Sequence, residues 1–303
     1  MKSSNIGGQA VMEGVMMRNA DKYAVAVRKT DGEIVVKTEE YKGIVQNKKI
    51  RSLPIIRGVF SFIDSMVLGM STLTYSESFF MDEEEEEKDE KKESVMMGLT
   101  IACSVVMAVA IFMILPYFLS QLFRKFTDST TLITLLEGAV RLVIFFGYIL
   151  LISRMKDIQR VFMYHGAEHK CINCIEHGME LNVENVLKSS RLHKRCGTSF
   201  LFIVMIVSII FFLFIRIESP IWRVVFRLLL IPVIAGVSFE FIRLAGKSEN
   251  KLVILLSKPG MMLQKLTTRE PDASMAEVAI ASVEAVFDWR AYLKENFGWQ
   301  EKV

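Results

Sequence analysis

Residues 95–120 contain no charged side chain. At about 1.5 Å per residue, a helix of that length crosses a hydrocarbon core of about 30 Å. Three further apolar stretches follow, at 130–153, 199–215 and 221–244. With 51% hydrophobic residues overall, this is more apolar surface than a soluble core requires. The chain is therefore read as a polytopic α-helical membrane protein with about four transmembrane helices, and the lipid bilayer is its first partner.

The few charges near these stretches carry information. Glu137 and Arg141 stand four apart in the second stretch, a spacing that lets an intramembrane pair neutralise itself on the bundle interior. Glu240, near the end of the fourth, needs Arg243 or a cation as partner. The loops 121–129 and 216–227 carry only Arg124, Lys125, Arg216, Arg223 and Arg227, and the opposite flanks are richer in Lys and Arg. The positive-inside rule then places both termini and the loop 154–198 in the cytoplasm, giving a multi-pass cell-membrane protein. Residues 1–9 lack the parts of a signal peptide. A net charge of +3, without basic tracts interleaved with aromatics, argues against a nucleic-acid partner.

Outside the membrane domain (95–245) the chain divides into three parts. Residues 1–50 form a small β-rich unit: strands near 23–28 and 33–36 flank Asp31-Gly32, a strong hairpin signal. Before it, residues 7–18 read as a buried strand with turn glycines. In 51–94, apolar positions from 54 to 70 recur at helical spacing with Arg57, Ser61, Asp64 and Ser65 on the other face, which suggests an amphipathic interfacial helix. The charged run 82–93 suits a solvated linker. Residues 246–303 read as a cytoplasmic helical segment, with a short helix stopped at Pro259-Gly260 and a second opened by a capping box at Ser274-x-x-Glu277.

The chemistry concentrates in residues 164–196. This window holds all four histidines (His165, His169, His177, His193) and Cys171, Cys174 and Cys196 of the four cysteines. A reducing compartment keeps such thiols free or metal-bound. His165-x-x-Glu168-His169 on a helix presents two imidazoles on one face with a carboxylate beside them, the order of the inverted zincin motif. His193-x-x-Cys196 offers further ligands. In one arrangement His165 and His169 with His193 or Cys196 hold zinc, leave one position for water, and use Glu168 as general base. In another, Cys171-x-x-Cys174 and His193-x-x-Cys196 form a closed structural clamp. In a third the histidines are a solvated juxtamembrane surface without metal. His177, before Gly178, reads as an exposed helix end.

The chain resembles the YqhQ-like family of bacterial membrane proteins, a family of unknown function predicted to be metal-dependent. The likeness runs through G-G-Q-A-V-M-E-G-V-M-M-R from Gly7, P-I-I-R-G-V from Pro54, Y-H-G-A-E-H-K from Tyr164, H-K-R-C-G-T-S-F from His193, F-E-F-I-R-L-A-G from Phe239 and P-G-M-M-L-Q-K-L-T-T-R-E-P from Pro259. It implies a bacterial inner-membrane protein and importance for His165, Glu168, His169, Lys170, His193 and Cys196, with Cys171 outside the pattern. That favours the mixed histidine site over the cysteine clamp. It also draws attention to Glu13 and Arg18, and suggests that the N-terminal motif packs against the central loop.

The expectation is a membrane protein with a cytoplasmic zinc-like site at His165, His169, His193 and Cys196 and catalytic Glu168, acting as a metal-dependent hydrolase or protease. The alternative is a non-enzymatic scaffold whose His/Cys loop is structural and which binds a protein partner at the cytoplasmic face.

Overall fold

Asp31-Gly32 reverses the chain as its chemistry demands: Gly32 takes φ +91°, and β3 (Lys22–Arg28) pairs antiparallel with β4 (Ile34–Glu40). The computed structural model describes residues 2–81, 90–215, 217, 219–247 and 250–300. Residues 82–89 of the charged run, and Arg216, lie outside the described residues. The stretch 7–18, expected as one strand, is a hairpin of β1 (Gly7–Val11) and β2 (Gly14–Asn19). Glu13 turns the corner at φ +49°. The strands form an antiparallel sheet in the order β1-β2-β3-β4.

Both faces of this sheet are covered, which explains the near-continuous apolar runs of its inner strands. Val15, Met17, Ala24 and Ala26 join one buried cluster with helix α6 (Lys156–Glu176) and helix α11 (Ala273–Val286). Val11, Met16, Tyr23, Val25 and Val27 join another with Leu68. Asp272, and not Ser274, caps α11: its carboxylate accepts from Met275 N–H at 2.9 Å. Ser282 Oγ of α11 then donates to Ala24 O at 3.0 Å.

The helix expected at 54–70 continues to Glu77 as Ile56–Glu77, here α2, with α1 (Lys48–Ser52) before it. Its charges are partnered by distant residues. Asp64 is buried and accepts from Ile44 N–H at 2.8 Å and Tyr41 O–H at 3.1 Å. Arg57 donates to Glu240 from Nε at 2.6 Å, so Arg57 is the closer partner of Glu240, with Arg243 at 3.7 Å. Gly58 packs so tightly on Gly236 that a Cβ would lie 2.9 Å from the Gly236 backbone.

Among the described residues, four helical stretches are long and apolar enough to cross a bilayer: Ile56–Glu77, Val95–Lys125, Thr130–Ile152 and Ile221–Gly246. The number agrees with expectation, but the membership differs. Residues 199–215, expected as a span, form the shorter apolar helix Gly197–Leu213 of 17 residues. Ile56–Glu77, read from the sequence as an interfacial helix, is long and apolar enough to cross.

The chain forms two compact units. One comprises Met1–Phe80, Ser153–Phe202 and Ala235–Val303 and contains the sheet, α6, α7 (Val183–Lys188), α10 (Lys251–Thr267), α11 and α12 (Trp289–Phe297). Helix α10 runs through Pro259-Gly260 where a stop was expected. Gly260 lies against Ser199, with 3.0 Å between an added Cβ and the serine Cβ. The other unit, Met81–Ile152 and Ile203–Ile234, holds α3 (Glu90–Val109), α4 (Leu115–Gln121) and α5 (Thr130–Ile152). Helices α8 (Gly197–Leu213) and α9 (Pro220–Lys247) contribute to both.

Within that second unit the Glu137–Arg141 pair is joined by a third group. Glu137 accepts from Arg141 Nη2 at 2.9 Å and from Arg227 Nη1 at 2.5 Å, with all three side chains buried.

Candidate metal centre

Helix α6 carries His165, Glu168 and His169, and spacings of three and four put them on one face. Gly166 lets a second segment lie against this helix. A Cβ there would sit 2.0 Å from Arg269 O, and Arg269 N–H donates to Phe162 O at 2.8 Å. This contact fixes the end of α10, whose Thr267 carbonyl lies 2.9 Å from His165 Nδ1. Arg191 O lies 2.6 Å from His169 Nδ1. A carbonyl only accepts, so each Nδ1 carries the hydrogen and each Nε2 is left to act as a ligand.

Polar side chains of α6 grip the loop that follows α7. Lys170, buried, donates to Leu187 O and Ser189 O at 2.8 Å each and pairs with Glu270 at 2.8 Å. Asn173 donates to Ser190 O at 2.6 Å and Leu192 O at 3.0 Å. Gln264 of α10 holds the next residue from both sides, accepting from His193 N–H at 2.8 Å and donating to His193 O at 2.7 Å. The loop thereby delivers Cys196 to α6, with Sγ 3.2 Å from His165 Nε2. Thr198 N–H donates to that sulfur at 3.4 Å.

The outcome is a group of three ligand atoms, from His165, His169 and Cys196, all within 4.8 Å of one another. A tetrahedral zinc site, with Zn–N of about 2.0–2.1 Å and Zn–S of about 2.3 Å, separates nitrogen from sulfur by about 3.5 Å. The donor types, their spacing and the carbonyls behind both imidazoles fit a metal ion. Among the described residues, Cys171 and Cys174 contribute to no such group. Burial pushes the Cys171 thiol well above its ordinary range and Cys174 up to about 12, and Cys174 donates to Glu180 O at 3.3 Å. The alternative cysteine clamp is not assembled among the described residues.

His193 is buried beside the group, its ring centroid 5.7 Å from that of His169. Its Nε2 faces Glu176 Oε2 at 3.4 Å. Glu168 is buried, with Oε2 3.5 Å from His169 Nε2. Desolvation raises its pKa, against the charges of His165, His193 and Arg195 and a hydrogen bond from Gly8 N–H. His177 caps α6, exposed, before Gly178 at φ +81°.

The N-terminal motif packs on α6, as its quoted residues suggested. Glu13 receives Arg160 Nε at 2.5 Å and Tyr164 O–H at 3.3 Å. Gly8 abuts Glu168, where an added Cβ would lie 3.0 Å from Glu168 Cγ. Arg18 is elsewhere: it donates to Ala20 O at 2.8 Å and stacks on Tyr41.

Residues 53–289 match the family described as "Protein of unknown function (DUF1385)". The chain belongs to this family. It is 36% identical over 301 residues to the "Uncharacterized protein YqhQ" of Bacillus subtilis (strain 168), covering 96% of this chain and 94% of that one. No solved structure matches. The residues that sequence reasoning left without a role are Asn173, Glu176, Gln264 and Thr267. Two of them, Gln264 and Thr267, lie inside P-G-M-M-L-Q-K-L-T-T-R-E-P, and that motif was the available signal.

Proposed function

We propose that this chain is a multi-pass membrane protein, with both termini cytoplasmic, whose His165, His169 and Cys196 hold a divalent metal ion, zinc by donor type, for a hydrolytic reaction. The observation that carries this reading is the convergence of one ligand atom each from His165, His169 and Cys196, with both Nδ1 atoms within reach of carbonyls. A bound ion would supply Lewis acidity and an acidified water at the position that three protein ligands leave open. Thr267 and Arg191 keep the imidazoles in the tautomer that offers Nε2. Glu168, buried and raised in pKa, exchanges a proton at its carboxylate oxygen between nucleophile and leaving group. Gly8 N–H and the packing of β1 hold that carboxylate in place.

The second reading is a non-enzymatic scaffold in which a metal closes the loop and the sheet and C-terminal helices bind a protein partner. The burial of His169 and Cys196 favours it. So does a cavity of about 510 Å³, which none of the three ligand side chains lines.

Metal analysis of the full chain, purified without chelator or metal-affinity resin, tests both readings. About one metal ion per chain is expected, lost in His165→Ala, His169→Ala and Cys196→Ala. Wild-type protein without stoichiometric metal would overturn both metal readings. Glu168→Gln separates them: the hydrolytic centre keeps its metal and fold but loses activity, whereas a scaffold variant is indistinguishable from wild type.

A further inference from the structure

The 510 Å³ cavity has a chemistry of its own. It is lined by Ser153, Met163, Arg191, Lys265, Leu266, Arg269 and Glu270, three cations against one carboxylate. That carboxylate is already matched, because Glu270 pairs with buried Lys170 at 2.8 Å and with Arg191 Nε at 3.3 Å. Glu270, bridging two cations, marks a position where a negative oxygen is favoured. Lys265 is exposed and makes no hydrogen bond or ion pair among the described residues. The cavity thus has an excess of positive charge and one uncommitted ammonium.

Its walls are fixed in advance. Arg269 donates to Ser153 O at 2.9 Å, and Arg191 donates to Thr268 O. A preformed cationic concavity loses little on ordering when an anion enters.

Its place in the chain indicates where the anion comes from. Ser153 follows directly on Thr130–Ile152, a helix long and apolar enough to span a bilayer. Lys265 stands on α10, where Leu255, Leu256 and Met262 are 57%, 52% and 64% exposed. On a helical wheel Leu255 and Met262, seven residues apart, share one line with Lys258 and Lys265 together along its edge, whereas Leu256 lies about 100° away. An apolar stripe flanked by lysines is the pattern of a helix lying in a membrane interface, and cations at that level meet headgroup phosphates.

We propose that the cavity formed by Arg191, Lys265, Arg269 and Glu270 is a binding site for a phosphate-bearing anion, reached from the membrane interface. The phosphate takes Lys265 Nζ and the outer guanidinium edges of Arg191 and Arg269 as donors, and Glu270 remains with Lys170. The site requires no metal, so its failure and that of the metal centre are independent.

Thermal unfolding of the full chain in neutral detergent provides the test, titrated with short-chain phosphatidylglycerol, short-chain phosphatidylcholine or inorganic phosphate. Stabilisation that grows with ligand concentration reports binding to the native state. Phosphatidylglycerol is expected to stabilise wild type, and Lys265→Glu to weaken its apparent affinity at least tenfold while metal content stays at the wild-type level. Lys22→Glu, the same charge change at the exposed first residue of β3, is expected to leave the affinity unchanged. If inorganic phosphate shows the same dependence on Lys265 and phosphatidylglycerol has no effect, the site takes a soluble phosphate compound. If both act and compete, the headgroup phosphate is what is recognised. The proposal is overturned if neither anion stabilises the chain, if Lys265→Glu responds as wild type does, or if phosphatidylcholine and phosphatidylglycerol act equally in both proteins.

Discussion

His193 Nε2 lies 3.4 Å from Glu176 Oε2, and both side chains are buried. Burial lowers the pKa of His193 despite the nearby carboxylate, so at neutral pH the imidazole is neutral and Nε2–H donates to Glu176. The same carboxylate accepts from Ser4 N–H at 2.7 Å and from Arg195. Glu176 therefore ties the N-terminal segment to the loop that carries Cys196.

The first prediction concerns acid stability. Burial alone would raise the pKa of Glu176, but the His193 hydrogen bond, the Arg195 charge and Ser4 N–H hold it at about 2. An unfolded glutamate titrates near about 4.3. The folded value is the lower one, so the stabilisation is complete above about pH 4.3 and is lost as pH falls towards 2. Its size is on the order of 3 kcal/mol. Glu176→Gln is expected to melt well below wild type at pH 7, with the gap narrowing at pH 3.5. A gap independent of pH would show that the carboxylate charge does not stabilise the fold.

The second prediction separates His193 from the ligand group. With Nε2 engaged by Glu176 and its backbone held by Gln264, His193→Ala is expected to keep its metal while losing about 1–3 kcal/mol, the cost of leaving a buried acceptor unsatisfied. Loss of metal with an unchanged melting temperature would instead make His193 a ligand.

A third prediction rests on Gly166. Alanine there places a methyl group 2.0 Å from Arg269 O, a backbone atom that cannot swing aside. Gly166→Ala is expected to destabilise the chain by about 1–3 kcal/mol, the usual cost of overpacking. By pushing Thr267 O away from His165 Nδ1, it should also reduce metal content. Wild-type stability and metal content in this variant would mean that the contact of α10 with α6 is dispensable.

What could be read from the sequence was governed by periodicity and turn chemistry. The charge-free run at 95–120 announced a long apolar helix, and Asp31-Gly32 announced β3 and β4. The pair His165 and His169 followed from helical spacing alone. The reading of α2 as an amphipathic helix left Arg57 and Asp64 on its polar face without named partners. Their partners, Glu240 and Ile44 N–H, lie far away in sequence or on the backbone. The same limit hid the supports of the candidate centre. Lys170, Asn173 and Gln264 act on carbonyls of 187–193, and every residue type has a carbonyl. Spacing could pair His193 with Cys196, yet only the path of the chain between them decides that Cys196 meets His165 while His193 meets Glu176.

The last prediction concerns the buried triad of the second unit. Glu137 is shared by Arg141 and Arg227, and both guanidinium groups also lie over the Phe212 ring, at 4.9 and 4.6 Å. One carboxylate thus serves two buried cations on helices long and apolar enough to cross a bilayer. Removing it strands both, and breaking a buried ion pair from one side costs about 3–5 kcal/mol. Glu137→Ala is expected to lower the unfolding free energy in detergent by that amount and to reduce the yield of folded protein. Replacing the whole triad by apolar residues (Glu137→Leu, Arg141→Met, Arg227→Met) should recover most of the loss, because no charge is then left without a partner. A triple variant as unstable as Glu137→Ala would show that the shape of these side chains, and not their charge, holds the helices together.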